Sequence, residues 1–211
     1  MSISKKKLAI ILSQLKSNPS PKPNLEQYEI SGELAADIIN LAFLSGDIKE
    51  KSVLDFGCGS GRLAIGSALM GAKKVTGIDI DKKVIKVARE NVRIAEEISG
   101  SKIRESMEFI ESDISDWEDK VHTVIQNPPF GIQKEHADRI FLEKALECGE
   151  VIYSLHRSYS KSRKFLTNYI KNHGGKVEKI IKFQFRMPHT FQFHEKPAVK
   201  FDVDLYIIRK T

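Results

Sequence analysis

The chain has 211 residues, of which 41% are hydrophobic and 29% charged, with a formal net charge of +6 and a pI near 9.2. This length suits one domain with a sizeable core, and the composition excludes a disordered chain, while the positive charge favours a polyanionic partner. Cys58 and Cys148 lie far apart without CxxC spacing, which excludes a disulfide framework and predicts a reducing, cytoplasmic setting.

The N-terminal region predicts two helices joined by an extended connector. Apolar residues between positions 8 and 15 recur at helical spacing and are interrupted by polar ones, which indicates an amphipathic helix and not a signal peptide. Three prolines between positions 17 and 24 predict the connector. A second helix is expected to begin after Ser31, a suitable N-cap, and to stop near Gly46. No apolar run is long enough to span a membrane.

From residue 53 onward, short apolar strands alternate with helical segments. This alternation predicts an α/β fold with a mostly parallel, doubly wound sheet and right-handed crossovers. The predicted strands of the alternating part are 53–56, 75–80, 109–113, 121–126 and 151–155. Two long alternating runs, 177–185 and 199–208, are too long for a short βα connection to separate them and predict a C-terminal antiparallel hairpin.

Polar residues and glycines stand where successive strands end. Asp55, the glycine loop after it, Asp79, Asp113 and Asn127 all follow this rule. Because parallel strands present their carboxyl ends along one edge, these residues should meet in one crevice, which is where open α/β sheets bind ligands.

The glycine loop reads Gly57-Cys58-Gly59-Ser60-Gly61 and would let the backbone approach a ligand where a Cβ would collide. A glycine loop followed by an acid such as Asp79 also describes a dinucleotide site, in which the acid holds ribose hydroxyls. Asp113 and the loop after the fourth strand do not belong to a dinucleotide signature, so we favour another ligand. The acids could instead cap the helices that follow them, which is our interpretation of Asp81.

The fourth strand leads into Asn127-Pro128-Pro129-Phe130, and the two prolines make this loop a rigid rim. The Asn127 amide oxygen and the Pro128 carbonyl could accept both hydrogens of one planar NH₂ group, while Phe130 stacks on the ring that carries it. This arrangement suits an exocyclic amine awaiting alkylation. A plain Pro-Pro turn that closes a βα loop is the alternative interpretation.

Together these residues carry a family resemblance. Residues 55–61 resemble motif I of the class I S-adenosylmethionine-dependent methyltransferases, and residues 127–130 resemble motif IV of the members that methylate amines. More narrowly, the chain is similar to the methyltransferase-like protein 5 family, which are adenine-N6 methyltransferases of small-subunit ribosomal RNA. The short motifs in the matching order are 25–28, 127–131, 137–138, 153–156 and 193–194.

The resemblance implies a seven-stranded Rossmann-like sheet of order 3-2-1-4-5-7-6 and S-adenosyl-L-methionine as the cofactor. It implies one methyltransferase domain, with residues 1–48 as a helical extension and cofactor lid and residues 51–211 as the catalytic sheet domain. The implied catalytic residues are Asn127, Pro128, Pro129 and Phe130. The implied cofactor-binding residues are Gln27, Tyr28, Asp55, Gly57, Cys58, Gly59, Gly61, Asp79, Ile80, Asp113, Ile114 and Asn127.

Within that set, the resemblance implies that the glycine loop contacts the methionine and ribose portions of the cofactor. Asp79 would bind the ribose hydroxyls and Asp113 the adenine amine, with Gln27 and Tyr28 near the methionine end.

Basic residues beside the catalytic loop and after the fifth strand favour an RNA backbone as partner. The candidate RNA contacts are Lys134, Arg139, His156, Arg157, Lys161 and Arg163. A solvated helix face is the alternative for each of them, and a surface histidine without a ligand is the simpler interpretation of His156. The histidines show no ligand spacing, so no metal is predicted. The resemblance further implies a small activator protein of the tRNA methyltransferase 112 type that pairs with a sheet edge.

Two other functions fit the same motifs. A protein glutamine-N5 methyltransferase of a translation factor would also present a planar NH₂ to this rim, but the basic patch and the expected lack of a separate N-terminal recognition domain disfavour it. A non-catalytic cofactor-binding or RNA-binding module is disfavoured because the glycines, the acids and Asn127 are all present.

Overall fold

The structure of the chain is a computed structural model that describes residues 3–22, 25–131, 137–188 and 198–211. The helices are α1 (Lys5–Ser13), α2 (Gly32–Leu44), α3 (Arg62–Leu69), α4 (Lys82–Ser99), α5 (Ala137–Cys148) and α6 (Ser160–Asn172). The strands are β1 (Ser52–Phe56), β2 (Lys74–Asp79), β3 (Met107–Glu111), β4 (Val121–Gln126), β5 (Gly149–Arg157), β6 (Gly175–Pro188) and β7 (Ala198–Lys210).

The strands form one seven-stranded sheet of order β3-β2-β1-β4-β5-β7-β6, which confirms the predicted order. Strands β1 to β5 pair in parallel, whereas β7 runs antiparallel to both β5 and β6. The predicted C-terminal hairpin is therefore confirmed. Strand β3 ends at Glu111, two residues earlier than expected, because Asp113 caps the short helical turn that follows, where its carboxylate accepts from the Ser115 N–H at 2.9 Å.

Both faces of the sheet are covered, and neighbouring strand residues contribute to opposite cores. On β1, for example, Val53 packs into the core beneath α1 to α4, and Leu54 into the core beneath α5 and α6. Such double coverage explains why the central strands read as continuous apolar runs. None of the helices in the described ranges is both long and apolar enough to cross a bilayer.

The two N-terminal helices pack directly against each other. The Ser31 hydroxyl accepts a hydrogen bond from the Leu34 N–H at 3.2 Å, which confirms the predicted start of α2. Gly32 allows α2 to begin directly against the end of α1, because a Cβ at this position would lie 2.4 Å from the Ser13 nitrogen. The apolar face of α1, which includes Leu8 and Ile11, is fully buried.

The loop after α2 is fastened to the sheet by a buried carboxylate, Asp47. Its Oδ2 accepts a hydrogen bond of 2.6 Å from the Tyr153 hydroxyl, and the Arg209 guanidinium donates to its two oxygens at 2.8 and 3.0 Å. Burial, followed by the hydrogen bond to Asp47, raises the pKa of Tyr153. This network joins the N-terminal region to β5 and β7.

Candidate active site

A cleft of about 460 Å³ opens at the carboxyl ends of the parallel strands, beneath residues 25–30 of the N-terminal region. All of the predicted cofactor residues except Gly61 line this cleft. Of the predicted catalytic residues, Asn127 and Pro129 line it, whereas Pro128 is buried and Phe130 packs beside it. The topology thus brings the strand-end residues together as expected.

The glycine loop adopts backbone conformations that residues with a side chain disfavour. Gly57, Gly59 and Gly61 have φ values of 65°, 54° and 86°, in the left-handed region. A Cβ on Gly59 would meet no described atom within 4 Å, so this glycine borders open cleft. Gly61 lies outside the cleft lining, because its Cα faces the Phe109 ring and a Cβ would lie 2.9 Å from it. Its role in this structure is close packing.

Asp79 organises the loop with both carboxylate oxygens. Its Oδ2 accepts a hydrogen bond of 3.0 Å from the Gly59 N–H, and its Oδ1 accepts one of 2.9 Å from the Asp81 N–H. Burial raises the pKa of Asp79, while these backbone donors oppose the rise. The carboxylate therefore stands fixed at the wall of the cleft.

Asp55 is more deeply buried, with 1% of its surface exposed. Its Oδ2 accepts a hydrogen bond of 3.0 Å from the Ala64 N–H in the first turn of α3, but its Oδ1 has no hydrogen-bond partner in the described part of the chain. Burial raises the pKa of Asp55 well above its usual range, and the nearby charge of Asp79 contributes. A buried carboxylate oxygen at the cleft is an electrostatic match for a cationic ligand group.

The far wall of the cleft combines an acid with apolar side chains. The Asp113 carboxylate accepts hydrogen bonds from the Ser115 N–H and hydroxyl at 2.9 and 2.7 Å, so the capping interpretation holds for one of its oxygens. Asp81 likewise caps α4 through the Lys83 N–H, as expected. Ile80 is 57% exposed at the cleft, and Ile114 lies beside it, so a flat apolar ring could lie against them.

The Asn127 side chain is held in one orientation. Its Nδ2 donates a hydrogen bond of 2.9 Å to the Tyr28 carbonyl. Its Oδ1 is buried and has no hydrogen-bond partner among the residues that the structure describes. A buried acceptor that is left unpaired costs about 1–3 kcal/mol. A hydrogen-bond donor on a ligand would therefore be bound favourably by this amide oxygen.

Phe130 belongs to an aromatic cluster beside the rim. Its ring lies nearly parallel to that of Tyr28, at 14° and 6.3 Å between centroids, and meets Phe185 and Phe201 edge-on at 5.6 Å. The Arg157 guanidinium lies 4.8 Å above the Phe201 ring and 5.3 Å above the Tyr159 ring. Tyr159 is 52% exposed, so the cluster reaches from the rim to the surface.

The structure gives the basic residues that were candidates for RNA contact different surroundings. Arg139 lies over the Phe165 ring at 4.5 Å, and Arg163 donates two hydrogen bonds of 2.6 Å to Asp204, which is almost fully buried. Lys134 lies outside the described residues, and Lys161 lies in α6 without a described side chain.

The expectation of a surface position for His156 is wrong. His156 is 2% exposed, and its Nε2 is 2.8 Å from the Ser154 hydroxyl, while its ring meets Tyr206 edge-on. The packing of β5 against β7 buries it and leaves it almost no surface for an RNA contact.

Sequence reasoning missed Arg62, the first residue of α3. It is 7% exposed and donates to the Glu29 carboxylate at 2.6 Å, to the Ser60 hydroxyl at 3.2 Å and to carbonyls near the end of α1. The sequence did contain a signal: α3 carries no other charged residue and is buried throughout, and an arginine in such a helix must have partners.

The fold and the cleft define a class I S-adenosylmethionine-dependent methyltransferase. A family model for "Ribosomal protein L11 methyltransferase (PrmA)" matches residues 39–128, which hold the glycine loop and the first four strands. A crystal structure of a candidate RNA methyltransferase from Pyrococcus horikoshii superposes with a TM-score of 0.90 at 37% identity, covering 100% of both chains.

Two relatives extend the similarity over the whole length. The chain is 44% identical to an uncharacterized protein of Methanocaldococcus jannaschii, covering 99% of this chain and 95% of that protein. It is 31% identical to the rRNA N(6)-adenosine-methyltransferase METTL5 of Danio rerio, covering 94% of this chain and 95% of that protein. The chain belongs to the METTL5 family.

Proposed function

We propose that this chain transfers a methyl group from S-adenosylmethionine to the N6 amine of an adenosine in RNA, with small-subunit ribosomal RNA as the substrate class. The observation that carries the proposal is the Asn127 amide, whose oxygen is buried at the cleft without a hydrogen-bond partner in the described structure. The name of the Danio rerio relative supports the choice of ribosomal RNA.

The rim residues explain how an unreactive amine becomes a nucleophile. The N6 lone pair of adenine is delocalised into the ring, so the nitrogen is planar in the ground state. The Asn127 Oδ1 accepts one N6 hydrogen and the Pro128 carbonyl the other, which favours a pyramidal nitrogen with its lone pair directed at the methyl donor. These interactions strengthen toward the transition state, as catalysis requires. Asn127 is neutral and does not act as a general base, so the proton leaves after transfer.

The cofactor, when bound, supplies an electrophilic methyl group on a positively charged sulfur. The cleft residues fit it: Gly59 leaves open space beside the backbone, Asp79 presents a fixed carboxylate for ribose hydroxyls, and the unpartnered Asp55 Oδ1 would face a cationic group of the cofactor. Ile80 and Ile114 would flank the adenine ring, and Asp113 would bind its amine. Residues 1–48 would act as a lid.

The aromatic cluster supports a single-stranded or flipped-out substrate. Phe130 would stack on the target base, and the exposed Tyr159 ring would meet a neighbouring nucleotide. Arg157 lies between the Tyr159 and Phe201 rings, where its charge would approach the RNA backbone.

A small activator protein of the tRNA methyltransferase 112 type would cover an edge of the sheet. Strand β3 ends the sheet within the described residues, and an edge strand offers unpaired N–H and C=O groups. Cys58 and Cys148 are both buried free thiols, which is consistent with a cytoplasmic location.

The test is transfer of labelled methyl from S-adenosylmethionine to unmodified small-subunit ribosomal RNA, followed by nucleoside analysis, with and without an activator. N6-methyladenosine at one position is the expected product. Label in a translation release factor and none in RNA would instead establish the glutamine-N5 alternative. Cofactor binding without transfer to either substrate would indicate a non-catalytic module.

A matched pair of charge deletions tests the RNA surface. We expect Arg157→Ala to raise the KM for RNA by about 10-fold, in line with the loss of one cation–π contact and one phosphate contact. Lys74→Ala removes the same charge at the amino end of β2, at the end of the strands opposite the cleft, and should leave KM unchanged. Equal effects of the two changes would remove the argument for a local RNA contact.

A further inference from the structure

Three successive residues of the N-terminal region, Gln27, Tyr28 and Glu29, lie at the cleft and are called the strap below. All three line the cleft, and the side chains on either side of Tyr28 are tied to different helices of the sheet domain. Enclosure of a ligand does not by itself require two such anchors on so short a segment.

The first anchor is Gln27. Its Nε2 donates a hydrogen bond of 3.1 Å to the Asp81 Oδ2 at the start of α4. Its Oε1 accepts from the Lys22 N–H at 2.8 Å and from the Asn18 side chain at 2.9 Å. Both ends of the amide are therefore engaged within the protein, so Gln27 acts as a tether more than as a direct cofactor ligand.

The second anchor is Glu29. Its Oε2 accepts a hydrogen bond of 2.6 Å from Arg62 at the start of α3, and its Oε1 accepts one of 2.8 Å from the Asn18 N–H. The charge-assisted contact with Arg62 is partly buried, with 8% and 19% of the two side chains exposed, so it is stronger and more restrictive than a surface ion pair.

Between the anchors, the Tyr28 carbonyl accepts the hydrogen bond from the Asn127 Nδ2. The two ends of a side-chain amide are nearly equal in size, so shape alone does not decide which end faces the cleft. A carbonyl accepts only from the NH₂ end, and it therefore directs the Asn127 oxygen away from itself. The turn is tight, since the Tyr28 N–H bonds to the Glu26 carbonyl at 2.6 Å and Glu26 has a left-handed φ of 47°.

We propose that the strap orients the catalytic amide: Gln27 and Glu29 are positioning residues that hold the Tyr28 carbonyl where it selects the reactive orientation of Asn127. The proposal rests on the proposed function in assigning Asn127 to catalysis. It goes beyond that function by making the N-terminal segment part of the catalytic apparatus. If the strap only enclosed the cofactor, its loss would weaken cofactor binding and leave the amide as it is.

The test breaks the Gln27 anchor and restores it by exchange. Gln27→Ala removes the tether, and Gln27→Glu places a carboxylate 3.1 Å from the Asp81 oxygen and breaks it by repulsion. The double variant Gln27→Glu with Asp81→Asn reverses the direction of the hydrogen bond and keeps the net charge. Glu90→Gln is the control, because it breaks an exposed ion pair with Lys16 on the same N-terminal segment without touching the strap.

We expect transfer at saturating cofactor and RNA to fall about 10- to 100-fold in Gln27→Ala, because a small misplacement of a positioned group has this effect on rate. The Kd for S-adenosylhomocysteine, measured by calorimetry, should change by less than about threefold. Gln27→Glu should lose at least about 10-fold in rate, and the exchange variant should recover to within about threefold of the parent. Glu90→Gln should match the parent.

A second readout needs no methyl transfer. In protein labelled with ¹⁵N-asparagine, the Asn127 side-chain NH₂ resonance is identified by its loss in Asn127→Ala. In Gln27→Ala this resonance should move toward that of a free asparagine amide, and its proton exchange should quicken by about 10-fold. The exchange variant should return it to the parent position.

These measurements separate the two proposals. If no RNA or protein substrate is methylated but the Asn127 resonance responds to Gln27→Ala, the proposed function fails, while the structural part of the strap proposal, that the strap orients the Asn127 amide, holds. If the resonance does not respond, the strap proposal is overturned whatever the activity. A weakened Kd with an unchanged rate at saturation also overturns it, because the strap would then be only a wall of the cofactor site.

Discussion

Asp55→Asn should make the ligand-free protein more stable while weakening its cofactor affinity. The substitution keeps the shape of the side chain and an oxygen that can accept from the Ala64 N–H. It removes the negative charge from the buried Oδ1, which has no partner in the described residues.

The sign follows from the pKa. Burial raises the pKa of Asp55 in the folded state well above the unfolded value of about 3.9, so folding favours the protonated carboxyl. The stability that the proton contributes is fully present below the unfolded pKa and is lost as pH rises through the folded pKa. The parent protein is therefore penalised at pH 8, and Asp55→Asn escapes this penalty.

The magnitude comes from two opposing effects. A buried charged oxygen without a partner costs about 1–3 kcal/mol or more, whereas a carboxylate at a helix N-terminus returns about 0.3–1 kcal/mol. The net gain of about 1–2 kcal/mol should raise Tm by about 2–8 °C for a chain of this size. Loss of the charged interaction should weaken binding of S-adenosylmethionine by about 10- to 100-fold.

The assay is thermal unfolding of both proteins without ligand between pH 8 and pH 4.5, with calorimetric titration of the cofactor at pH 8. The difference in Tm should shrink as pH falls, because the parent carboxyl becomes protonated. Asp119→Asn, which neutralises an exposed acid, serves as control and should change neither quantity. An Asp55→Asn protein that is less stable at pH 8, or a Tm difference independent of pH, would refute this reasoning.

Three further substitutions test separate parts of the site and fold. Asn127→Ala should lower kcat by about 10²- to 10³-fold with cofactor Kd unchanged, measured by transfer kinetics and calorimetry; loss of cofactor binding would contradict the assigned role. Asp79→Ala should do the reverse, weakening cofactor binding about 10-fold or more in the same titration, because the Gly59 amide loses its acceptor. Asp47→Ala should destabilise the protein by about 1–3 kcal/mol in urea unfolding, since the buried Tyr153 hydroxyl loses its acceptor while Arg209 keeps its contact with Glu178; a loss below about 1 kcal/mol would show that the network contributes little.

Much of the fold could be predicted from the sequence because its signals are local. Strand and helix periods, the three prolines of the connector and the Ser31 cap each act over a few residues. Asp55, Asp79 and Asn127 each stand where a strand ends, and parallel strands end along one edge of the sheet. Their meeting in one cleft could therefore be predicted. The hairpin of β6 and β7 was likewise predictable from the short separation of two long alternating runs.

What the sequence could not determine are the partners of individual polar atoms. Motif reasoning expected His156 at the surface and passed over Arg62, whereas packing buries both. It also gave no sign that Gln27, which lines the cleft, bonds to Asp81. The same holds for the Asn127 amide, whose orientation depends on a carbonyl 99 residues earlier in the chain. The sequence by itself determined the elements, their order and the residue types at the strand ends, because these follow from short-range periodicity and topology. Only the tertiary structure decided that the Asn127 oxygen, and not its NH₂ group, is left without a hydrogen-bond partner in the described residues, because that outcome depends on contacts between residues distant in sequence.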